Sequence, residues 1–135
     1  MNSTEQILPF VMLVEDDLFM QQVINQYLKG KFLITTFDNG MDAWIFLQQG
    51  AEPDIIIADL NIPQITGVEL LKQVKASSFF NTIPVLILSG EESSTIKIDC
   101  LEAGADDYMV KPFNPRELEV RIRKMIGRKE TLISN

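Results

Sequence analysis

Polar side chains that could accept or hold a phosphoryl group follow short apolar runs of this chain. They are Glu15, Asp16 and Asp17 after the first run, and Asp59, Ser89 and Lys111 after later runs. A carboxylate can attack phosphorus and form an acyl phosphate. Carboxylates gathered at one place repel each other unless a cation lies among them, and oxygen ligands favour Mg²⁺ or Mn²⁺. The pattern indicates phosphoryl chemistry beside a divalent cation.

Asp59 is the candidate nucleophile because the apolar residues 55–58 directly precede it and would hold its carboxylate on a rigid, buried strand. The charge of a bound phosphoryl group then needs compensation from several directions. The cation would supply one contribution and the compact ammonium group of Lys111 a second. The Ser89 hydroxyl and nearby backbone N–H groups would supply the third.

Alternating strand and helix segments must bring these groups together. Apolar runs predict strands at residues 10–14, 32–37, 55–58, 85–88 and 108–110. Helical spacing of apolar residues predicts helices at residues 18–29, 40–49, 68–76, 94–103 and from Pro115 onward. Such an alternation predicts a doubly wound α/β fold of the flavodoxin-like type: a five-stranded parallel sheet, for which the order 2-1-3-4-5 is one common solution, flanked by five helices. The strands' carboxyl ends then share one edge, where ligands bind.

Length and composition narrow the functions. With 135 residues, we expect one domain over residues 9–127, an N-terminal extension at 1–8, and a C-terminal tail or truncated linker at 128–135. The net charge of −7 argues against direct contact with nucleic acid. No apolar run is long enough to span a bilayer, and the single cysteine fits a cytoplasmic location. Because the chain contains no histidine, it cannot be a phosphohistidine donor.

Four segments carry a resemblance to a known family: Val-Glu-Asp-Asp at 14–17, Asp-Leu-Asn-Ile-Pro at 59–63 with Gly67, Leu-Ser-Gly at 88–90, and Gly-Ala-Asp-Asp-Tyr-Met-Val-Lys-Pro-Phe-Asn-Pro at 104–115. They resemble the receiver domain of bacterial response regulators, the CheY-like superfamily of two-component signal transduction. The resemblance extends over residues 9–126, and it covers spacing as well as residue type.

The resemblance implies a role for each site residue. The implied metal ligands are Glu15, Asp16, Asp59 and the backbone carbonyl of Asn61. Asp59 would be the phosphoacceptor, and Ser89, Gly90 and Lys111 would contact the phosphoryl group. The bond between Lys111 and Pro112 would be cis. Tyr108 would move inward when Ser89 shifts toward the phosphate.

The implied function is a phosphorylation-dependent switch rather than an enzyme, with intrinsic autophosphotransfer and autophosphatase activity. A sensor histidine kinase or a histidine phosphotransfer protein would donate the phosphoryl group, and an unidentified downstream effector would receive the signal. Asn61 and Glu91, two residues beyond Asp59 and Ser89, would flank the path of the hydrolytic water. Because both are polar, we expect an acyl phosphate that lasts seconds to minutes.

The last third of the chain resembles the winged-helix branch of the family, which dimerises through charge pairs on its fourth helix, fifth strand and fifth helix. The matching pairs are Lys97 with Glu117, Asp107 with Arg121, and Glu102 with Arg128, and the fourth helix also carries Ile98 and Leu101 on a second apolar stripe. Glu119 departs from that branch, since a small or apolar residue is usual there. A phosphorylation-dependent homodimer and a solvated charged face both remain open.

Three other functions do not match the residues that are present. A phosphatase of the haloacid-dehalogenase class needs a second aspartate where Asn61 stands, and a nucleotide-binding fold needs a glycine-rich loop where residues 15–17 stand. A pseudo-receiver that serves only for docking would lack Asp59 or Lys111. Within the family, the chain could be a phosphorelay shuttle, a stand-alone switch, or the receiver fragment of a longer DNA-binding or other multidomain regulator.

Overall fold

Strands and helices alternate along the part of the chain that the computed structural model describes, which is the backbone of residues 7–134 and the side chains of residues 7–127. The strands are β1 (Phe10–Val14), β2 (Leu33–Phe37), β3 (Ile55–Asp59), β4 (Val85–Ser89) and β5 (Asp107–Val110). The helices are α1 (Leu18–Leu28), α2 (Gly40–Gln48), α3 (Gly67–Ala76), α4 (Ser94–Glu102) and α5 (Pro115–Ser134).

All five strands pair in parallel in the order β2-β1-β3-β4-β5. The predicted fold and strand order are therefore confirmed. The strand predicted at residues 55–58 includes one residue more, since Asp59 is the last residue of β3 and lies in register with Leu88 of β4. In the same way Ser89 ends β4 opposite Val110 of β5. The register thus brings the ends of the central strands to one edge of the sheet.

The core consists of two apolar layers, one on each face of the sheet. In β3 the side chains alternate, so that Ile55 and Ile57 pack with α1 and α5, while Ile56 and Ala58 pack with α2, α3 and α4. All five residues of β3 are buried. A parallel strand that is covered on both faces appears in the sequence as a continuous apolar run, which is why the sequence predicts this strand well.

Capping interactions fix the first turns of α1 and α3, which follow the loops after β1 and β3 at this edge. The side chain of Asp17 accepts hydrogen bonds from the backbone N–H groups of Phe19 (2.9 Å) and Met20 (3.3 Å) at the start of α1. Thr66 and Glu69 form a reciprocal capping box at the start of α3, with distances of 3.2 and 2.9 Å. Each loop therefore ends at a defined residue.

Two expectations concern the chain termini. The backbone of α5 continues to Ser134, through most of the segment predicted to be a tail or linker. The predicted N-terminal extension falls mostly on residues 1–6, which lie outside the described residues, as does the side chain of Arg128. Among the described residues no helix is both long and apolar enough to cross a membrane.

We predict that Gly67→Ala destabilises the fold by about 2 kcal/mol or more, because a methyl group there has no room. Its Cβ would contact the backbone oxygen of Asp59 and lie 2.8 Å from the Cα of Leu60. Gly127→Ala is the control, since nothing lies within 4 Å of a Cβ there and alanine should stabilise α5 by about 0.5–1 kcal/mol. Urea unfolding followed by the fluorescence of Trp44 measures both; equal changes would contradict the packing argument.

Candidate functional site

Three carboxylates meet where β1 and β3 end. Glu15 follows β1 and is fully buried, Asp59 ends β3 and is 7% exposed, and Asp16 is exposed to solvent. One carboxylate oxygen from each lies within 4.8 Å of the others. This all-oxygen cluster has the chemistry that a hard divalent cation such as Mg²⁺ requires. The residues present therefore fit the cation that the sequence predicts.

Lys111, one residue beyond β5, brings a positive charge to the same carboxylates. Its Nζ atom lies 2.8 Å from Oε1 of Glu15 and also donates a hydrogen bond to Oδ2 of Asp59. The lysine side chain is 19% exposed, so both ion pairs are largely shielded from water. A shielded ammonium group between two carboxylates reduces their mutual repulsion and can later neutralise a bound anion.

Burial dominates the acid–base behaviour of Glu15. It raises the pKa of this carboxyl to about 7, although hydrogen bonds from Lys111 and from the backbone of Asp17 oppose the shift. For Lys111, burial alone would lower the pKa, but the hydrogen bonds to Asp59 and Glu15 outweigh it and raise the pKa of the ammonium group. The lysine therefore stays charged at neutral pH while Glu15 titrates, and a cation that binds here would displace the proton from Glu15.

Backbone and side-chain donors hold the two buried carboxylates in place. The N–H of Asn61 donates to Oδ1 of Asp59 (3.0 Å), and the N–H of Asp17 donates to Oε2 of Glu15 (3.1 Å). The side-chain amide of Gln21 reaches back from α1 and donates to the backbone oxygen of Glu15. The contact of Gln21 was not predicted, although the position of this residue one turn into α1, after the acidic residues, could have indicated it.

Ser89 and Tyr108 are linked through the residue that follows Gly90. The hydroxyl of Ser89, which is fully buried, accepts a hydrogen bond from the N–H of Glu91 (2.9 Å). The hydroxyl of Tyr108 donates to the backbone oxygen of Glu91 (2.9 Å), and this tyrosine is only 4% exposed. The tyrosine ring is thus already in the interior in this structure. The bond between Lys111 and Pro112 is cis.

Comparison with known proteins decides which family this arrangement represents. Residues 11–123 match the family of response regulator receiver domains. The chain belongs to this family. It is 36% identical to the two-component response regulator ORR3 of Oryza sativa over 119 residues, which cover 87% of this chain and 91% of the rice protein.

Two further similar proteins are a much longer protein and the receiver domain of a sensor histidine kinase. Protein RcaC of Microchaete diplosiphon is also 36% identical over 119 residues, but these cover 87% of this chain and only 18% of RcaC. The receiver domain of the sensor histidine kinase PA1611 from Pseudomonas aeruginosa has a TM-score of 0.80 and 26% identity, covering 89% of this chain and 98% of that one. It was solved with a magnesium ion coordinated in its active site cleft. This chain is likewise a receiver domain of two-component signalling.

The residues predicted to form a dimer face of the receiver domain lie on α4, β5 and α5 and are not part of the Glu15–Asp16–Asp59 cluster. Ile98 and Leu101 are 51% and 42% exposed, as the second apolar stripe of α4 predicts. Arg121 pairs within the chain with Asp107 (2.8 Å) and with Glu117 (2.7 Å). Asp107 was predicted to pair with Arg121, and Glu117 with Lys97, between two copies. Within one copy, Arg121 already forms ion pairs with both Asp107 and Glu117.

We predict that the metal-free receiver domain loses stability as Glu15 ionises. Because the folded pKa of about 7 exceeds the ordinary value of 4.5, the protonated form favours folding, and that contribution is lost as the pH rises through this interval. Glu15→Gln lacks the titration, so its stability relative to wild type should rise between about pH 5 and about pH 8.

Urea unfolding in the presence of a chelator, carried out for both proteins at both pH values, measures this difference. Glu69→Gln is a control, because the pKa of this exposed carboxyl is lowered by its capping hydrogen bonds and its effect should run in the opposite direction, at lower pH. A constant difference between wild type and Glu15→Gln across the interval would contradict the prediction.

Proposed function

We propose that the receiver domain is a phosphorylation-controlled switch, with Asp59 as the acceptor. The observation that carries this proposal is the buried Asp59 carboxylate at the end of β3, with two more carboxylates within 4.8 Å and the Lys111 ammonium group hydrogen-bonded to it. This combination pairs a nucleophile with the positive charge that a phosphoryl group needs. The donor would be a phosphohistidine on a sensor kinase or phosphotransfer protein, since this chain contains no histidine.

The chemistry assigns one role to each group. A carboxylate oxygen of Asp59 would attack phosphorus, the phosphorus–nitrogen bond of the donor would break, and the imidazole would keep the electron pair and take up a proton. Lys111 would leave its ion pair with Asp59 for the phosphoryl oxygens. The Ser89 hydroxyl would exchange its bond with the N–H of Glu91 for one with the phosphate.

Glu15, Asp16 and Asp59 would hold Mg²⁺ or Mn²⁺, with the backbone carbonyl of Asn61 as a further ligand. When bound, such a cation neutralises charge on the transferring group. Support comes from the oxygen-only donor set and from the related PA1611 receiver domain, which holds magnesium in its cleft. The acidic cluster would bind the cation more tightly once Glu15 is ionised, because the pKa of that carboxyl is about 7.

The signal would leave the site through the hydrogen bonds of Glu91. Ser89 and Tyr108 both bind the backbone of this residue, so a shift of the serine hydroxyl toward phosphate would change the surroundings of the tyrosine ring. Tyr108 lies in β5 beside α4, where an effector or a second copy could bind in response to the change. Because the protein would modify and dephosphorylate only itself, we propose a switch with autophosphatase activity rather than an enzyme acting on other substrates.

A phosphorylation-dependent homodimer through α4, β5 and α5 stays a prediction. The exposed Ile98 and Leu101 favour it, whereas the pairing of Arg121 within one chain means that a dimer would have to exchange existing ion pairs. Exchanged surface pairs contribute little net energy. Since the match with RcaC covers only 18% of that protein, the roles of fragment, shuttle and stand-alone switch are all retained as proposals.

We predict that beryllofluoride and Mg²⁺ together shift the NMR signals of Asp59, Ser89, Tyr108 and Lys111, because the fluoride complex mimics a phosphoryl group on the acceptor. Asp59→Asn should abolish the shifts. Asp99→Asn, which removes an exposed carboxylate of α4, is the matched control and should respond like wild type. Identical spectra with and without the reagents in wild type, or an unchanged response of Asp59→Asn, would reject Asp59 as the acceptor.

We also predict an acyl phosphate that decays within seconds to minutes, because polar side chains flank the approach of water to phosphorus. Asn61 and Glu91 are both exposed beside the site. Asn61→Leu should slow the release of phosphate after loading with acetyl phosphate, since its apolar side chain would exclude water. Asn81→Leu is the control, because Asn81 is exposed between α3 and β4 at the opposite edge of the sheet from Asp59. A wild-type half-life of hours, or no slowing in Asn61→Leu, would contradict the role of these positions.

A further inference from the structure

The first residue of α2 lies against the loop that follows the candidate acceptor. This loop, residues 60–66, connects β3 to α3. The N–H of Gly40 donates a hydrogen bond to the backbone oxygen of Pro63 (3.2 Å). A Cβ placed on Gly40 would lie 2.8 Å from the Cβ of Ile65 and would overlap the backbone oxygen of that residue. The helix and the loop are therefore in a contact so close that only glycine permits it.

Space, rather than backbone conformation, accounts for the glycine at position 40. The described glycines with a positive φ, a conformation that favours glycine, are Gly30, Gly50 and Gly104. The φ angle of Gly40 lies outside that region, and the residue begins a helix. Alanine would be the better helix former there, because glycine loses more conformational freedom on folding. The contact with the loop is what explains why glycine occupies this position.

The same loop contains a residue in an unfavourable backbone conformation. Gln64, between the two residues that contact Gly40, has a φ of +70°, and among the non-glycine residues that the structure describes it alone has a positive φ. Such a conformation costs free energy and persists only where neighbouring groups hold it. At the base of the loop, the N–H of Gly67 donates to the backbone oxygen of Leu60 (3.0 Å). The contact with α2 is the one that holds the tip.

Asn61 connects this loop to the candidate site. Its N–H donates to Oδ1 of Asp59 (3.0 Å), and its backbone carbonyl is the further ligand proposed for the cation. Asn61 lies between the buried end of β3 and the loop tip, Pro63 to Ile65, that Gly40 contacts. The direction of a backbone carbonyl depends on the dihedral angles beside it, so a displaced tip would rotate this carbonyl. Mg²⁺ tolerates such changes poorly, because it requires nearly ideal octahedral coordination.

We propose that Gly40 is a positioning residue for the candidate metal site. Through its contact with Pro63 and Ile65, α2 holds the loop so that the loop presents the Asn61 carbonyl to the cation. This inference rests on the proposed metal site and extends it to a residue outside the acidic cluster. The three carboxylates of that cluster lie at the ends of β1 and β3 and do not depend on the loop. A displaced loop therefore weakens the site without removing it.

Isothermal titration calorimetry of the whole chain with Mg²⁺ measures the effect. Gly40→Ala should weaken Mg²⁺ binding about tenfold, which is a usual loss when a group that orients a metal ligand is changed. Ile65→Ala removes atoms from the other side of the contact and adds none, so it should cause a smaller loss even if Gly40→Ala fails to fold. Gly50→Ala is the matched control and should bind Mg²⁺ like wild type. It strains the opposite end of α2, where φ is +100°, and nothing lies within 4 Å of its Cβ.

Carbon NMR separates a positioning role from a general loss of stability. In wild type, Mg²⁺ should shift the backbone carbonyl carbon of Asn61 together with the carboxyl carbons of Asp16 and Asp59. In Gly40→Ala at saturating Mg²⁺, the shift of the Asn61 carbonyl should be reduced, whereas the shifts of the two carboxyl carbons should remain. A protein that is only less stable but still folded would keep all three shifts.

Three results would overturn the proposal while the acidic cluster remained a metal site. The first is wild-type affinity for Mg²⁺ in both Gly40→Ala and Ile65→Ala. The second is an equal loss of affinity in Gly50→Ala, which would point to stability alone. The third is a wild-type Asn61 carbonyl that does not respond to Mg²⁺ although both carboxyl carbons do. If none of the three carbons responds in wild type, the metal site of the proposed function fails, and the role of Gly40 fails with it.

Discussion

The structure depends on holding two buried carboxyl groups close together beside a single ammonium group. Glu15 is fully buried and Asp59 nearly so, and both hydrogen-bond to Lys111. Burial of such groups costs free energy, and removing one partner leaves an uncompensated charge. The ends of β1 and β3 carry both carboxyl groups and therefore have to be rigid. The raised pKa of Glu15 is the direct expression of that cost.

Rigidity comes from the apolar strands that lead to the site. β1 and β3 are buried in the middle of the sheet, between apolar layers on both faces, so the last residue of β3 has little freedom to move. The backbone oxygen of Asp59 and the neighbouring Leu60 also contact Gly67 at the start of α3. The site thus holds the Asp59 carboxylate on a buried strand, and a single loop residue, Glu91, connects the side chains of Ser89 and Tyr108.

The sequence predicts most of the fold and the groups of the site for a common physical reason. Buried parallel strands appear as continuous apolar runs, and the first polar residue after each run lies at the edge where ligands bind, as for Asp59 and Ser89. What the sequence could not predict depends on side-chain direction. The reach of Gln21 back to Glu15, the interior position of Tyr108 and the pairs of Arg121 within one chain all follow from rotamers and neighbours that residue type and spacing leave undetermined.

The groups of the candidate site are concentrated at one edge of the sheet. The carboxyl edge concentrates carboxylates and an ammonium group around Asp59, whereas the amino edge carries an uncharged depression beside Phe79. Phosphorylation of Asp59, as proposed, would change the charge at the first edge, and the central strands separate this edge from the second by an apolar core. The proposed chemistry at Asp59 would therefore change the surroundings of Ser89 and, through Glu91, those of Tyr108, while residues at the amino edge would keep theirs.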